Sequence, residues 1–138
     1  MELKQFSNAL HKLRCVEQNL TKEFENSTGF SLTRYEILIY LDEKKQSLQT
    51  EIAEHIGIDP AAITRQLKIL EKEGFVTRDR NADNAREIIV TLTDYAKSEL
   101  KICKQNHKDN PCNVAVSISK REIEELMEIL ESIEEKLQ

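Results

Sequence analysis

The sequence predicts a mainly α fold with a small β-wing, in the order ααααββαα. Three observations carry that expectation. Apolar residues recur every three or four positions through most of the chain, the period of amphipathic helices. A three-residue turn containing glycine, Gly57-Ile58-Asp59, joins two short helical patterns. Between 75 and 92 the period changes to two β-type runs around a polar turn. Composition agrees: 138 residues include 3 Gly, 2 Pro and no Trp, too few turn formers for a sandwich or barrel. That length fits a single chain-long domain, alone or with a dimerisation extension.

Leu3, Phe6, Leu10, Leu13, Val16, Leu20 and Phe24 mark one long helix that ends before Ser27-Thr28-Gly29. Thr33-x-x-Glu36 has the form of a capping box, which starts a second helix at Arg34 and carries it to Asp42. A third runs from Gln49 to Ile56 and stops at Gly57. Asp59 then caps a fourth, with Pro60 at its first position, where a missing N–H costs nothing. That helix ends near Lys72, and Gly74 follows as a terminator. Phe75 to Arg78 and Ile88 to Leu92 read as strands, with a polar turn from Asp79 to Ala85. Thr93 and Asp94 open a fifth helix that continues to Lys108 and is broken by Asn110-Pro111. Ser119-x-x-Glu122 caps a last helix with Ile123, Leu126, Leu130, Ile133 and Leu137 on one face.

The central segment is a helix-turn-helix followed by a hairpin, the layout of a winged helix-turn-helix. In its second helix Ile63, Leu67 and Leu70 form the inward stripe. The opposite face carries Ala61, Thr64, Arg65 and Lys68. Small residues let a helix sink into a major groove, and a hydroxyl and an arginine can reach phosphates or base edges. Gln66 flanks this face in a position to read adenine. Arg78, Arg80 and Arg86 surround the hairpin turn, where they can approach phosphates or a narrow minor groove.

The net charge of −5 excludes a protein that coats nucleic acid without selectivity. Its distribution is uneven: residues 119–138 carry −4, whereas 60–86 carry +2. The first and last helices have continuous apolar faces that a small winged domain has little surface to cover. Pairing two chains buries them and spaces two recognition helices for a pseudo-palindromic site. Residues 1–28 and 109–138 are therefore expected to form the dimerisation region, 33–93 the DNA-binding region and 94–108 a connecting helix.

The helix pair EIAEHIGIDPAAITRQLKILEKEG and the wing ending VTLT resemble the winged helix-turn-helix of the MarR family of bacterial transcription regulators. The flanking helices fit the family's layout, so the resemblance covers nearly the whole chain. It implies a homodimeric regulator, a repressor, of double-stranded operator DNA. Residues Pro60 to Lys72 would enter a major groove, with contacts from Pro60, Ala61, Ala62, Thr64, Arg65, Gln66 and Lys68. By motif position Arg86 is the wing-tip arginine. The family usually has Asp two residues before it and often a basic residue between; here these are Asn84 and Ala85.

Three cysteines, Cys15, Cys103 and Cys112, with no CxxC spacing argue against a disulfide framework or a zinc ribbon. His11 lies one turn before Cys15 on the same helical face, and Lys12 and Arg14 are near; positive charge favours the thiolate that peroxides attack. This arrangement is similar to the two-cysteine branch of the family that senses organic hydroperoxides. The similarity implies that Cys15 is the sensing thiol and Cys112, from the other subunit, the resolving one. It also makes Tyr35 and Tyr40 candidates to hydrogen-bond the sensing thiol. Three other readings stand beside it: Cys15 as a small buried hydrophobe, a phenolic effector between the dimer helices and the winged domain, or a metal held by the i, i+4 pairs His11/Cys15 and Cys103/His107.

No phosphate loop, nucleophile elbow or HExxH motif is present, so neither an enzyme nor a cofactor is expected. A winged-helix protein-docking module is the other class, but its face would carry exposed aromatics or Met, which the 61–68 face lacks. With no apolar run long enough for a membrane span and no signal-peptide pattern, a cytoplasmic location is expected.

Overall fold

A computed structural model describes residues 1–109 and 118–138, with the backbone alone for 107–109. It shows a mainly helical winged fold in which helix α1 (Leu3–Thr28) is followed by α2 (Leu32–Lys44) and strand β1 (Gln46–Leu48). Helices α3 (Gln49–Ile56) and α4 (Pro60–Lys72) come next, then the wing strands β2 (Val76–Arg80) and β3 (Ile88–Leu92). Helices α5 (Asp94–Asp109) and α6 (Lys120–Leu137) complete the chain.

The order is therefore ααβααββαα, with a third strand absent from the sequence-based order. Gln46, Ser47 and Leu48 lack a β-branched or aromatic residue. They become a strand by pairing antiparallel with β3, Ser47 opposite Val90, in a sheet ordered β1-β3-β2. The second helix starts at Leu32, not Arg34. Its cap is Ser31, whose Oγ accepts from the Arg34 amide at 3.3 Å, and not Thr33. Phe30, just before that cap, packs on Tyr35 with ring centroids 6.3 Å apart, a hydrophobic staple that sets the helix start. The wing's first strand runs from Val76 to Arg80, two residues past the expected end, because Asp79 and Arg80 pair with Ile89 and Ile88. The Asn110-Pro111 break lies outside the described residues.

The remaining ends follow their local chemistry. Asp59 accepts the Ala61 and Ala62 amides at 2.9 and 3.3 Å, closing the exposed N-terminus of α4. Gly57 sits at φ 77, left-handed backbone that a side chain would strain, and so permits the turn between α3 and α4. Thr93 accepts the Ala96 amide at 3.1 Å to cap α5, and its hydroxyl donates to the Gly74 carbonyl at 2.7 Å. Ser119 and Glu122 make the expected reciprocal box at α6, each bond 3.1 Å.

The core lies under the helix-turn-helix. Ile37, Leu38 and Leu41 of α2, Ile52 of α3, Ile63, Leu67 and Leu70 of α4 and Val90 of β3 are fully buried. Val76, Leu92, Ala96 and Leu100 close it from the wing and α5. Phe75 bridges Phe30, 5.5 Å away, and Tyr95, 5.3 Å away, tying the loop after α1 to the start of α5. Helices α1 and α6 bury no residue in the single chain. No helix among the described residues is long and apolar enough to cross a membrane.

Candidate nucleic-acid interface

The buried stripe of α4 fixes which residues face outward. With Ile63, Leu67 and Leu70 locked in the core, Pro60, Ala61, Arg65 and Lys68 are exposed, and Ala62 and Thr64 half-exposed. Arg65 and Lys68 have no ion pair among the described residues, so their charges face solvent. Thr64 is already engaged: its hydroxyl donates to the Pro60 carbonyl at 2.9 Å and accepts from Gln49 Nε2 at 2.8 Å. Gln66 is half-buried with its Oε1 turned inward, so a two-bond contact to adenine requires its side chain to rotate.

The wing arginines are not equivalent. Arg78 points inward: its guanidinium donates to Gln49 Oε1 at 3.2 Å and lies 3.7 Å from Glu71, with 13% of the side chain exposed. Arg80 donates to the Ala85 carbonyl at 2.7 Å and braces the loop from the side. Arg86 is exposed at the wing tip. Asn84 accepts the Arg86 amide at 3.1 Å, and Asn81 accepts the Asp83 amide at 3.0 Å. The asparagines thus organise the tip through backbone turns. The structure brings Arg65, Lys68 and Arg86 forward as exposed cations and removes Arg78 from that group. Sequence reasoning missed Gln49, since a glutamine at the start of a short helix carries no pattern that announces a partner fifteen residues later.

On α1, Cys15 is half-buried with its Sγ 3.5 Å from His11 Nε2. Arg14 lies 3.3 Å from His11 Nδ1, so the expected cluster of thiol, imidazole and guanidinium forms. The rings of Tyr35 and Tyr40 pack against other aromatic side chains. Tyr35 stands edge-on to Phe24 at 5.1 Å, and Tyr40 stacks on His55 at 4.4 Å. Burial pushes the Tyr35 hydroxyl above its usual pKa, and the charge of nearby Cys103 adds to that rise. Cys103 is buried, and burial raises its thiol pKa too. Cys112 lies outside the described residues. Among those described, no three His, Cys, Asp or Glu side chains gather as a metal site.

The sequence pattern of the MarR family matches residues 30–88. The HTH-type transcriptional regulator YdgJ of Bacillus subtilis is 31% identical over 121 residues, spanning 88% of this chain and 74% of that protein. The organic hydroperoxide resistance transcriptional regulator of the same organism is 22% identical over 120 residues, spanning 85% and 78%. Among solved structures, reduced AbfR bound to DNA matches with a TM-score of 0.80 at 22% identity, covering 99% of this chain and 96% of AbfR. Exposed α4 face, capped turn, three-stranded sheet and these matches agree: the chain belongs to the MarR family.

Proposed function

We propose that the protein is a dimeric DNA-binding transcriptional regulator, acting as a repressor on a pseudo-palindromic operator. In this reading α4 enters a major groove and Arg86 reaches the neighbouring minor groove. The observation that carries it is the outward face of α4, where Ala61 permits close approach and Arg65 and Lys68 present cations with no ion pair among the described residues, together with an exposed wing tip. The similar fold of AbfR, solved bound to DNA, supports it. Residues 1–28 and 109–138 supply the dimer interface, 33–93 the DNA-binding region and 94–108 the connection. The exposed apolar residues of α1 and α6, Leu10 at 50% and Leu130 at 37% among them, are the support for that division.

The signal in this reading is oxidation of Cys15 by an organic hydroperoxide. The thiolate sulfur attacks one peroxide oxygen, the O–O bond breaks, and an alcohol leaves after taking a proton. The sulfenic acid then condenses with the thiol of Cys112 from the other subunit, forming the S–S bond and releasing water. The support is the imidazole 3.5 Å from Cys15 Sγ and the likeness to a hydroperoxide-resistance regulator. Mobility-shift binding to the protein's own upstream DNA, with and without cumene hydroperoxide, tests site and signal together. A shifted band released by peroxide and restored by dithiothreitol is the expected result. No binding overturns the DNA reading; equal peroxide release in Cys15→Ser overturns the thiol assignment.

A further inference from the structure

Arg78 begins a chain of hydrogen bonds that crosses three elements and ends on the outward side of α4. We infer that this relay makes Arg78 and Gln49 positioning residues for base readout by Thr64, rather than phosphate contacts. The inference rests on the proposed entry of α4 into a major groove.

The polarity of the relay is set at its source. A guanidinium can only donate, so the Gln49 atom 3.2 Å from Arg78 Nη2 is the amide oxygen. The amide nitrogen is then at the other end, 2.8 Å from Thr64 Oγ1, where it donates and the hydroxyl accepts. The hydroxyl's own proton goes to the Pro60 carbonyl, 2.9 Å away. Glu71, 3.7 Å from Arg78 Nη1, holds the guanidinium in place from α4 itself. Arg78 from β2, Gln49 from α3 and Glu71 and Thr64 from α4 thus form one unit. It fixes the Thr64 rotamer and the seating of the wing on the recognition helix together.

Held this way, Thr64 has one lone pair left, and donating to a base costs it the Pro60 bond. It meets a base as an acceptor beside a methyl group. Adenine N6 and cytosine N4 donate, and thymine offers a methyl; the major-groove edge of guanine offers acceptors alone. Thr64 therefore disfavours guanine at the position it faces, and the relay maintains that preference from a distance.

The test measures affinity for operators carrying each base pair at each position. Wild type is compared with Thr64→Val, Gln49→Leu and Arg78→Met, with Arg65→Ala as the control. Thr64→Val identifies the pair that Thr64 faces. Gln49→Leu and Arg78→Met are expected to flatten the discrimination against guanine at that pair by ~3- to 10-fold, leaving other positions unchanged. The inference is overturned if Arg78→Met weakens every operator alike and lowers the salt slope by about 1, as loss of a phosphate contact does. It is also overturned if preference at that pair is unchanged in both variants while Arg65→Ala weakens binding, which leaves the DNA reading intact. An Arg65→Ala protein that binds as wild type removes the DNA reading and the relay with it.

Discussion

The winged core and the terminal helices contain similar residues and treat them in opposite ways. In the core, Leu67 of α4 is fully buried within one chain, as are its neighbours on α2, α3 and β3. On α6, Leu126 and Leu130 follow an equally regular period, yet stay 39% and 37% exposed. The capping box and the i, i+4 pairs Lys120–Glu124 and Arg121–Glu125 organise α6 locally, but none of its residues is buried. A helix of this kind draws most of its stability from packing, not from propensity. The lesson is that the winged core buries its apolar residues within one chain, whereas α1 and α6 leave theirs exposed.

The comparison is broken most strongly by the same change made in both regions. Leu67→Ala is expected to cost about 2–5 kcal/mol, seen as a lower urea midpoint at any protein concentration. Leu130→Ala is expected to act through association, with light scattering showing a weaker dimer and a midpoint that depends on concentration. Equal, concentration-independent losses at both sites would erase the distinction.

A smaller effect sharpens the functional side. Arg65→Ala is expected to weaken operator binding by roughly 1–3 kcal/mol, and Arg86→Ala to weaken it less selectively among sequences, with thermal stability retained in each. Titration on specific and scrambled duplexes separates the two. Next comes thiol chemistry. Burial raises the Cys103 pKa, so less of it is thiolate at neutral pH, and the half-buried Cys15 is expected to alkylate ~10-fold faster. Peptide mass spectrometry after timed iodoacetamide reads both rates. The smallest effect concerns Lys45, left-handed at φ 71 between α2 and β1; Lys45→Gly should leave stability unchanged or raise it by up to about 1 kcal/mol.

Much of this was legible in the sequence wherever local chemistry decides the outcome. Asp59-Pro60, Gly57 and the Ser119/Glu122 box set helix ends without help from elsewhere, and the period of Ile63, Leu67 and Leu70 assigned the two faces of α4. Strand β1 was not legible, because Gln46-Ser47-Leu48 is a strand solely by virtue of β3 beside it. The cap at Ser31 was missed for a related reason: Thr33 offers a better local motif, but the contact of Phe30 with Tyr35 selects the other start. Among site residues, exposure of Arg65 and Lys68 followed from helical period. The inward turn of Arg78 did not, since its partners Gln49 and Glu71 lie on separate helices and no spacing rule links them.

Light scattering of the full chain mixed with duplex from its own upstream region tests the central claim most directly. The account predicts a complex of two chains per duplex that Arg65→Ala weakens at moderate salt while the free protein remains dimeric. A monomeric protein, or a complex that forms equally well with Arg65→Ala across a salt series, would contradict it.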